Sequence, residues 1–299
     1  MAAVTEKAAS RTAILVCQGR AVADDRLAPG YFHDPIAIRL LREDERAAVR
    51  RAREEAPPTG WRERMEYELL TATSAVLATR TVAIDEELRA AGNRQVVLLG
   101  AGLDGRAWRL RDAGRPATEI HLFEVDHPAS QSDKRARARD LEPVIADLTY
   151  VPVEFGRDDP AVELAAAGHR DDIATSWVWE GVLPYLTRPQ VDSTLTAVRA
   201  RSAAGSRVIA TYPTPNRFAV LGRAGMRVFS RLSGGRDPLA DEPHLSAWSP
   251  QQMRETVSRH GFEVTSDMEM IEVARRLGIE FRQSRAYGLG RMVVADLPG

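Results

Sequence analysis

Residues 96–110 read VVLLGAGLDGRAWRL, and this stretch decides the predicted fold. The apolar run at 96–99 predicts a buried β-strand, and the glycine loop GAGLDG at 100–105 follows it directly. Glycines at such a point let the backbone turn sharply and approach a ligand closely. The pattern G-x-G-x-x-G between a strand and a helix is typical of nucleotide-binding sheets. Taken alone, it also fits a loop that only packs the helix against the strand.

Seven predicted strands follow one another from residue 96 onward, separated by helix-like segments. They cover residues 96–100, 120–125, 150–155, 175–179, 207–212, 262–266 and 291–296. Capping boxes at Thr187–Gln190 and Ser249–Gln252 mark the starts of two helices, and Gly261 marks the end of the second. This alternation predicts an α/β fold with a doubly wound, mostly parallel seven-stranded sheet.

The remaining segments predict how the chain is organised around that sheet. Residues 1–95 contain no clear strand and include a long amphipathic helix over 65–91, so we expect an N-terminal helical extension or lid. Residues 96–299 form the sheet domain. Within it, residues 213–245 are rich in proline and glycine and predict an insertion that covers the substrate. We expect all of this to form one structural unit.

The charge balance argues against a nucleic-acid partner. The 299 residues carry a formal net charge of -1, whereas nucleic-acid-binding proteins show a basic bias. The one basic cluster, KRARAR at 134–139, is flanked by Asp133 and Asp140, and we interpret it as a solvated helix face. The partner that we expect is therefore a small molecule.

Cysteine content and hydropathy predict a cytoplasmic protein. Cys17 is the single cysteine, which excludes an intramolecular disulfide and a thiolate metal cluster, and it is expected to be a small core residue. No run approaches the roughly 20 apolar residues of a membrane span. We therefore predict no metal and no membrane partner, and the sequence does not predict the oligomeric state.

Acidic residues narrow the choice of nucleotide. Asp126 ends the second predicted strand, 24 residues after Gly102, where a carboxylate can accept hydrogen bonds from both ribose hydroxyls. NAD, FAD and S-adenosylmethionine all offer that ribose. Asp104, inside the glycine loop, would oppose a pyrophosphate. It suits the sulfonium and ammonium cations of S-adenosylmethionine, although it could equally cap the following helix.

Polar residues also stand at the ends of other predicted strands. Ligands of doubly wound sheets bind outside the carboxyl ends of the strands. Because Glu180 stands where the fourth strand ends, we expect Gly100, Asp126, Glu154 and Glu180 to lie along one edge of the sheet.

Six segments resemble the leucine carboxyl methyltransferase family of S-adenosylmethionine-dependent methyltransferases. They occur in the family's order and fall within residues 10–270. The segments are GYFHDP at 30–35, TRT at 79–81, LGAGLD at 99–104, FEVDHP at 123–128, VPVEF at 151–155 and WEGVLPYL at 179–186. The resemblance implies a class I methyltransferase-like sheet and S-adenosylmethionine as the cofactor.

The resemblance also implies roles for single residues. Arg80 matches the arginine that grips the methionine carboxylate, and Glu180 matches the acid near the methionine amino group. Asp126 matches the ribose-binding acid. The loop residues Gly100, Ala101 and Gly102 lie beside the cofactor. Read without the resemblance, Arg80 fits a surface ion pair with nearby residues 85 and 86.

Four residues depart from the family's pattern or match it loosely. Glu154 and Phe155 stand beside the adenine, where Asp-Leu is usual, and Gly105 stands where threonine is usual. Arg20 is a second basic residue that could face the cofactor carboxylate.

The expected reaction is O-methylation of a small-molecule carboxylate, or of a hydroxyl, by in-line displacement. A carboxylate is ionised at neutral pH and needs no general base, whereas a hydroxyl would need one. His33, His127 and His244 could be tried as that base. Tyr185 and Tyr212 are the candidate catalytic or acceptor-pocket residues. An NAD(P)-dependent oxidoreductase and a non-catalytic S-adenosylmethionine-binding protein are the alternatives.

Overall fold

The computed structural model describes residues 11–54, 57–215, 245–280 and 290–299, without the side chain of Arg62. Most of the predicted insertion at 213–245 lies outside these residues, as does His244.

A seven-stranded mixed sheet forms the centre of the described chain and confirms the predicted fold class. Its strand order is β3-β2-β1-β4-β5-β7-β6. Strands β1 to β5 pair in parallel, and β7 runs antiparallel between β5 and β6. The strands are β1 (Gln95–Leu99), β2 (His121–Asp126), β3 (Asp147–Pro152), β4 (Thr175–Trp179), β5 (Arg207–Tyr212), β6 (Glu263–Glu269) and β7 (Arg291–Asp296).

Helices cover both faces of this sheet, as its largely apolar parallel strands require. The described helices are α1 (Arg11–Ala23), α2 (Glu43–Arg53), α3 (Trp61–Ala91), α4 (Arg106–Arg109), α5 (Pro128–Arg137), α6 (Pro160–Ala166), α7 (Arg188–Ala200), α8 (Pro250–Arg259) and α9 (Met270–Arg276). One core contains residues of α1 to α4 and α9, and the other contains residues of α6, α7 and α8. Trp177 and Trp179 are buried in the second core, as predicted. None of the described helices is both long and apolar enough to cross a membrane.

The predicted helix boundaries are confirmed where side-chain chemistry marks them. Both capping boxes are present at the starts of α7 and α8. Gly261 follows α8 with φ +84°, the left-handed conformation expected after a helix end. The long helix α3 ends before Gly92, as predicted, but begins earlier than predicted, at Trp61. Cys17 is fully buried in α1, and its thiol donates to the carbonyl of Ala37.

The third strand was predicted three residues too late, at 150–155. The parallel ladder with β2 ends where Asp126 pairs with Pro152. Val153 and Phe155 continue the alternation of apolar residues in the sequence, although both lie beyond the end of the strand. Val153 is buried in the core beyond the end of the strand, and Phe155 contacts a cavity at the sheet edge.

The basic cluster at 134–139 is not simply a solvated face, so that interpretation is wrong for two of its members. Lys134 is only 1% exposed, and its Nζ lies 2.7 Å from Oε2 of Glu124, which is equally buried on β2. Arg137 is buried against Glu45 of α2. The sequence alone does not show which basic residues of the cluster are buried. In the structure, α5 turns one side towards the sheet while Arg135 stays exposed.

The Glu124–Lys134 pair predicts a pH dependence of stability. Burial raises the pKa of Glu124 to about 7, although the Lys134 ammonium opposes the rise. The carboxyl group of Glu124 therefore stays protonated up to a higher pH in the folded state than in the unfolded state. This difference stabilises the folded state fully at pH values below the ordinary pKa of glutamate. The stabilisation is lost as the pH rises through 7.

Glu124→Gln removes that titration. As the pH increases from 5 to 8, we therefore expect the unfolding free energy of Glu124→Gln to increase relative to that of the wild type. Urea denaturation measures both free energies. The exposed Glu255→Gln is the control. Parallel pH curves for Glu124→Gln and the wild type would contradict the prediction.

Candidate active site

A cavity of about 590 Å³ opens at the carboxyl edge of β1, β2 and β4. Helices α1 and α3 form its opposite wall. The cavity brings together most of the residues that the sequence singled out, namely Arg20, Arg80, Gly100, Ala101, Gly102, Asp104, Asp126, Phe155, Glu180 and Tyr185.

The glycine loop is held tightly between its neighbours. The backbone amides of Gly100 and Ala101 both donate to the carbonyl of Val125 at the end of β2, at 2.7 and 3.1 Å. Gly100 has φ +73°, and a Cβ atom there would lie 2.3 Å from Cγ2 of Val182. Glycine is therefore required at position 100 both by the backbone conformation and by the close approach of the loop after β4.

Asp126 is fixed at the end of β2 by two backbone amides. Its Oδ2 accepts a hydrogen bond from Gly102 and its Oδ1 accepts one from His127, each at 2.6 Å. Burial raises the pKa of Asp126, and the two amides offset part of that rise. Each carboxylate oxygen has a further lone pair that a ribose hydroxyl could use.

Glu180 lies between two arginines at the end of β4. Its Oε1 is 2.8 Å from Nε of Arg80, and its Oε2 is 3.0 Å from Nη1 of Arg106. Burial alone would raise the pKa of Glu180, but the two guanidinium groups outweigh it and lower the pKa. Arg80 therefore pairs across the cavity edge, and the surface ion pair with residues 85 and 86 does not form.

Arg106 is the main site residue that the sequence analysis missed. It is the first residue of α4, and its side chain is 1% exposed. Its Nε contacts Oδ1 of Asp85 at 2.7 Å, and its Nη1 contacts both Asp104 and Glu180. The available signal was its position two residues after an acid that was expected to face a cation.

The ion pairs continue away from the cavity as one buried network. Asp85 also binds Nη1 of Arg109 at 2.6 Å, and Asp34 lies between Nε of Arg109 and Nε of Arg20 at 3.5 and 3.1 Å. Arg20 in turn donates to the carbonyl of Leu103 in the glycine loop. The members of this ion network are Arg20, Asp34, Arg80, Asp85, Asp104, Arg106, Arg109 and Glu180.

The sequence left open whether Asp104 caps the following helix or faces the ligand, and its position in the structure is compatible with both. Its Oδ1 accepts a hydrogen bond from the backbone amide of Arg106, 2.7 Å away at the start of α4. The same side chain lines the cavity. Burial alone would raise its pKa, but Arg106 and Arg20 outweigh that effect, and the pKa lies below its usual range.

Two candidate residues, Glu154 and Tyr212, are not among the described residues that line the cavity, so their part in the site stays a prediction. Glu154 follows the end of β3 by two residues, and its Oε2 lies 3.3 Å from Nη1 of Arg157. Tyr212 is buried in the core, and its hydroxyl donates to Oδ1 of Asp267 at 2.8 Å.

The candidate histidines in the described chain have other surroundings. His33 is exposed, with Nδ1 3.2 Å from Oδ1 of Asp24. The Nδ1 atom of His127 accepts a hydrogen bond from Ala129 at the start of α5. Neither histidine is among the described residues that line the cavity.

Comparison with known proteins identifies the chain's relatives. The family model of leucine carboxyl methyltransferase matches residues 13–199. A Streptomyces coelicolor protein is 33% identical over 258 residues, covering 85% of this chain and 83% of its own. A Frankia alni protein is 38% identical over 207 residues, 68% of each chain. Both are named as S-adenosyl-L-methionine-dependent methyltransferases.

A solved structure supports the same fold. A Thermobifida fusca protein described as a methyltransferase superposes with a TM-score of 0.58 at 15% identity, covering 99% of this chain and 97% of its own. The sheet order is that of a class I methyltransferase-like fold, and the family match and the relatives identify an S-adenosylmethionine-dependent methyltransferase. The chain belongs to the leucine carboxyl methyltransferase family. Family membership therefore favours a methyltransferase over the two alternatives, an NAD(P)-dependent oxidoreductase and a non-catalytic S-adenosylmethionine-binding protein.

Proposed function

We propose that the protein transfers the methyl group of S-adenosylmethionine to a carboxylate oxygen of a small-molecule acceptor. The observation that carries this proposal is the division of the cavity. Asp126 and Glu180 stand at the strand edge, and Arg80 of α3 reaches across to pair with Glu180. The apolar residues that α1 and α3 add to the lining of the cavity are Ala13, Leu15, Val16, Val76 and Leu77.

The polar side of the cavity fits the three recognition groups of the cofactor. Asp126 would accept hydrogen bonds from the ribose, and Glu180 would bind the ammonium group. Arg80 would bind the carboxylate through its two terminal nitrogens. These have no hydrogen-bond partner in the described part of the chain, because only its Nε contacts Glu180. A planar guanidinium suits a carboxylate because it can form two parallel hydrogen bonds.

Two of the three acids that line the cavity, Asp104 and Glu180, support an acceptor that is already ionised. Asp104 and Glu180 are held by arginines that lower their pKa values, which makes them weak bases. Bound S-adenosylmethionine supplies a methyl group activated by its sulfonium, and attack by a carboxylate leaves a neutral thioether with no proton to move. The chain's contribution is then to orient the two reactants and to exclude water.

The apolar wall supports a proposal about the acceptor's surroundings. Helices α1 and α3 belong to the segment 1–95, which we propose covers the acceptor as a helical extension of the domain at 96–299. We propose that the acceptor is a dissolved small molecule and that the protein acts in the cytoplasm. This proposal includes no nucleic-acid or membrane partner.

The test uses S-adenosylmethionine with a tritiated methyl group and matched acceptor pairs, such as arylacetic acids and the corresponding arylethanols. Methyl esters release volatile methanol in base, whereas methyl ethers do not. We expect volatile, base-labile label from the acids only. Base-stable label from the alcohols would overturn the carboxylate proposal and leave the methyltransferase assignment intact.

A further inference from the structure

One buried arginine connects the acids that face the cofactor's proposed amino end. Arg106 contacts residues from three separate segments: Asp85 on α3, Asp104 in the glycine loop and Glu180 after β4. Its Nη1 contacts oxygens of both Asp104 and Glu180, so these two carboxylates lie within reach of one nitrogen atom. Both of them also line the cavity.

Two buried carboxylates so close together need a cation to stay ionised and in place. Like charges at short range raise each other's pKa, and burial adds to that effect. Arg106 counters both effects, and Asp104 and Glu180 have lowered pKa values. Arg80 restrains Oε1 of Glu180 while Arg106 restrains Oε2, so the plane of this carboxylate is fixed from two sides.

Arg106 is itself anchored away from the cavity. Its Nε donates to Oδ1 of Asp85 at 2.7 Å, and Oδ2 of Asp85 accepts from Arg109 at 2.6 Å. The planar fork of arginine makes these contacts in directions that the single ammonium of lysine does not reproduce.

We propose that Arg106 is a positioning residue that holds Asp104 and Glu180 as a two-carboxylate receptor for the ammonium group of the cofactor. The inference rests on the proposed function, because it takes the bound ligand to be S-adenosylmethionine. Arg106 acts through the two acids, and they contact the ligand.

The test compares two ligands that share the adenosine group. S-Adenosylhomocysteine carries the amino-acid end, and 5′-methylthioadenosine lacks it. Arg106→Lys keeps the charge and loses the fork. Because each carboxylate contact to an ammonium is a charge-assisted hydrogen bond, we expect S-adenosylhomocysteine to bind about tenfold more weakly. The affinity for 5′-methylthioadenosine should stay within about twofold of the wild type, as measured by isothermal titration calorimetry.

Arg207→Lys is the matched control, because Arg207 also pairs with two acids, Glu87 and Asp296, but lies outside the lining of the cavity. It should change neither affinity. An equal loss of both ligands in Arg106→Lys, or no loss of either, overturns the positioning role.

A second variant covers the case in which Arg106→Lys does not fold. Asp85→Asn weakens the anchor of Arg106, and the selective loss of S-adenosylhomocysteine binding should appear there too. An unchanged affinity ratio in that variant overturns the proposal. If the wild type binds neither ligand, it is the proposed function that fails.

Discussion

Replacing Asp126 with alanine is expected to weaken the binding of S-adenosylhomocysteine by about two orders of magnitude. The carboxylate is held at the end of β2 by the amides of Gly102 and His127, with both oxygens directed to the loop edge of the cavity. In the proposed complex, alanine would remove two charge-assisted hydrogen bonds to the ribose, each worth about 1.5 kcal/mol or more. Isothermal titration calorimetry measures the loss.

A matched exposed acid separates this effect from a general change in charge. Asp172 is exposed and forms its ion pair with Arg170 at the surface, outside the lining of the cavity, so Asp172→Ala should leave the affinity unchanged. Thermal melting of Asp126→Ala checks that the variant is folded. Wild-type affinity in a folded Asp126→Ala protein would contradict the ribose role.

Gly100→Ala is expected to cause the largest loss of stability among changes at the site. The left-handed conformation costs a non-glycine residue about 1–2 kcal/mol, and forcing a methyl group against a packed side chain costs about 1–3 kcal/mol more. The added Cβ would lie 2.3 Å from Cγ2 of Val182. Urea denaturation should therefore show a loss of about 2–5 kcal/mol.

Two further variants separate conformational strain from crowding. Gly168 has φ +89°, and a Cβ atom added there would have no neighbour within 4 Å, so Gly168→Ala should show the strain alone. Adding Val182→Ala to Gly100→Ala removes the crowding atom and should recover most of the difference. Equal losses in Gly100→Ala and Gly168→Ala would refute the close approach of Val182.

The parts of the fold that could be predicted are those set by local chemistry. Capping residues such as Thr187 and Ser249 mark helix starts by themselves, and buried parallel strands are recognisable as short apolar runs. The third strand was misplaced because apolar residues beyond a strand end look the same in sequence as residues within it. Val153 is buried there although the strand ends at Pro152, and its amide still donates to the carbonyl of Asp126 at the end of β2.

The candidate site divides in the same way. Gly100, Asp126 and Glu180 directly follow or end strands, so their placement at one edge follows from the topology of a parallel sheet. Apart from Asp104–Arg106, the pairs of the ion network join residues that are far apart in the chain, so the sequence did not predict them. Arg106 meets Glu180 across 74 residues and Arg80 meets Glu180 across 100. An arginine in sequence looks the same whether it is solvated or buried between acids.

The most direct test of the whole assignment is a crystal structure of the protein with S-adenosylhomocysteine. The predicted result places the ribose hydroxyls on Asp126, the amino group on Glu180 and the carboxylate on Arg80, with the sulfur directed towards the wall formed by α1 and α3. A ligand bound elsewhere, or bound in this cavity with its ribose away from Asp126, would contradict it.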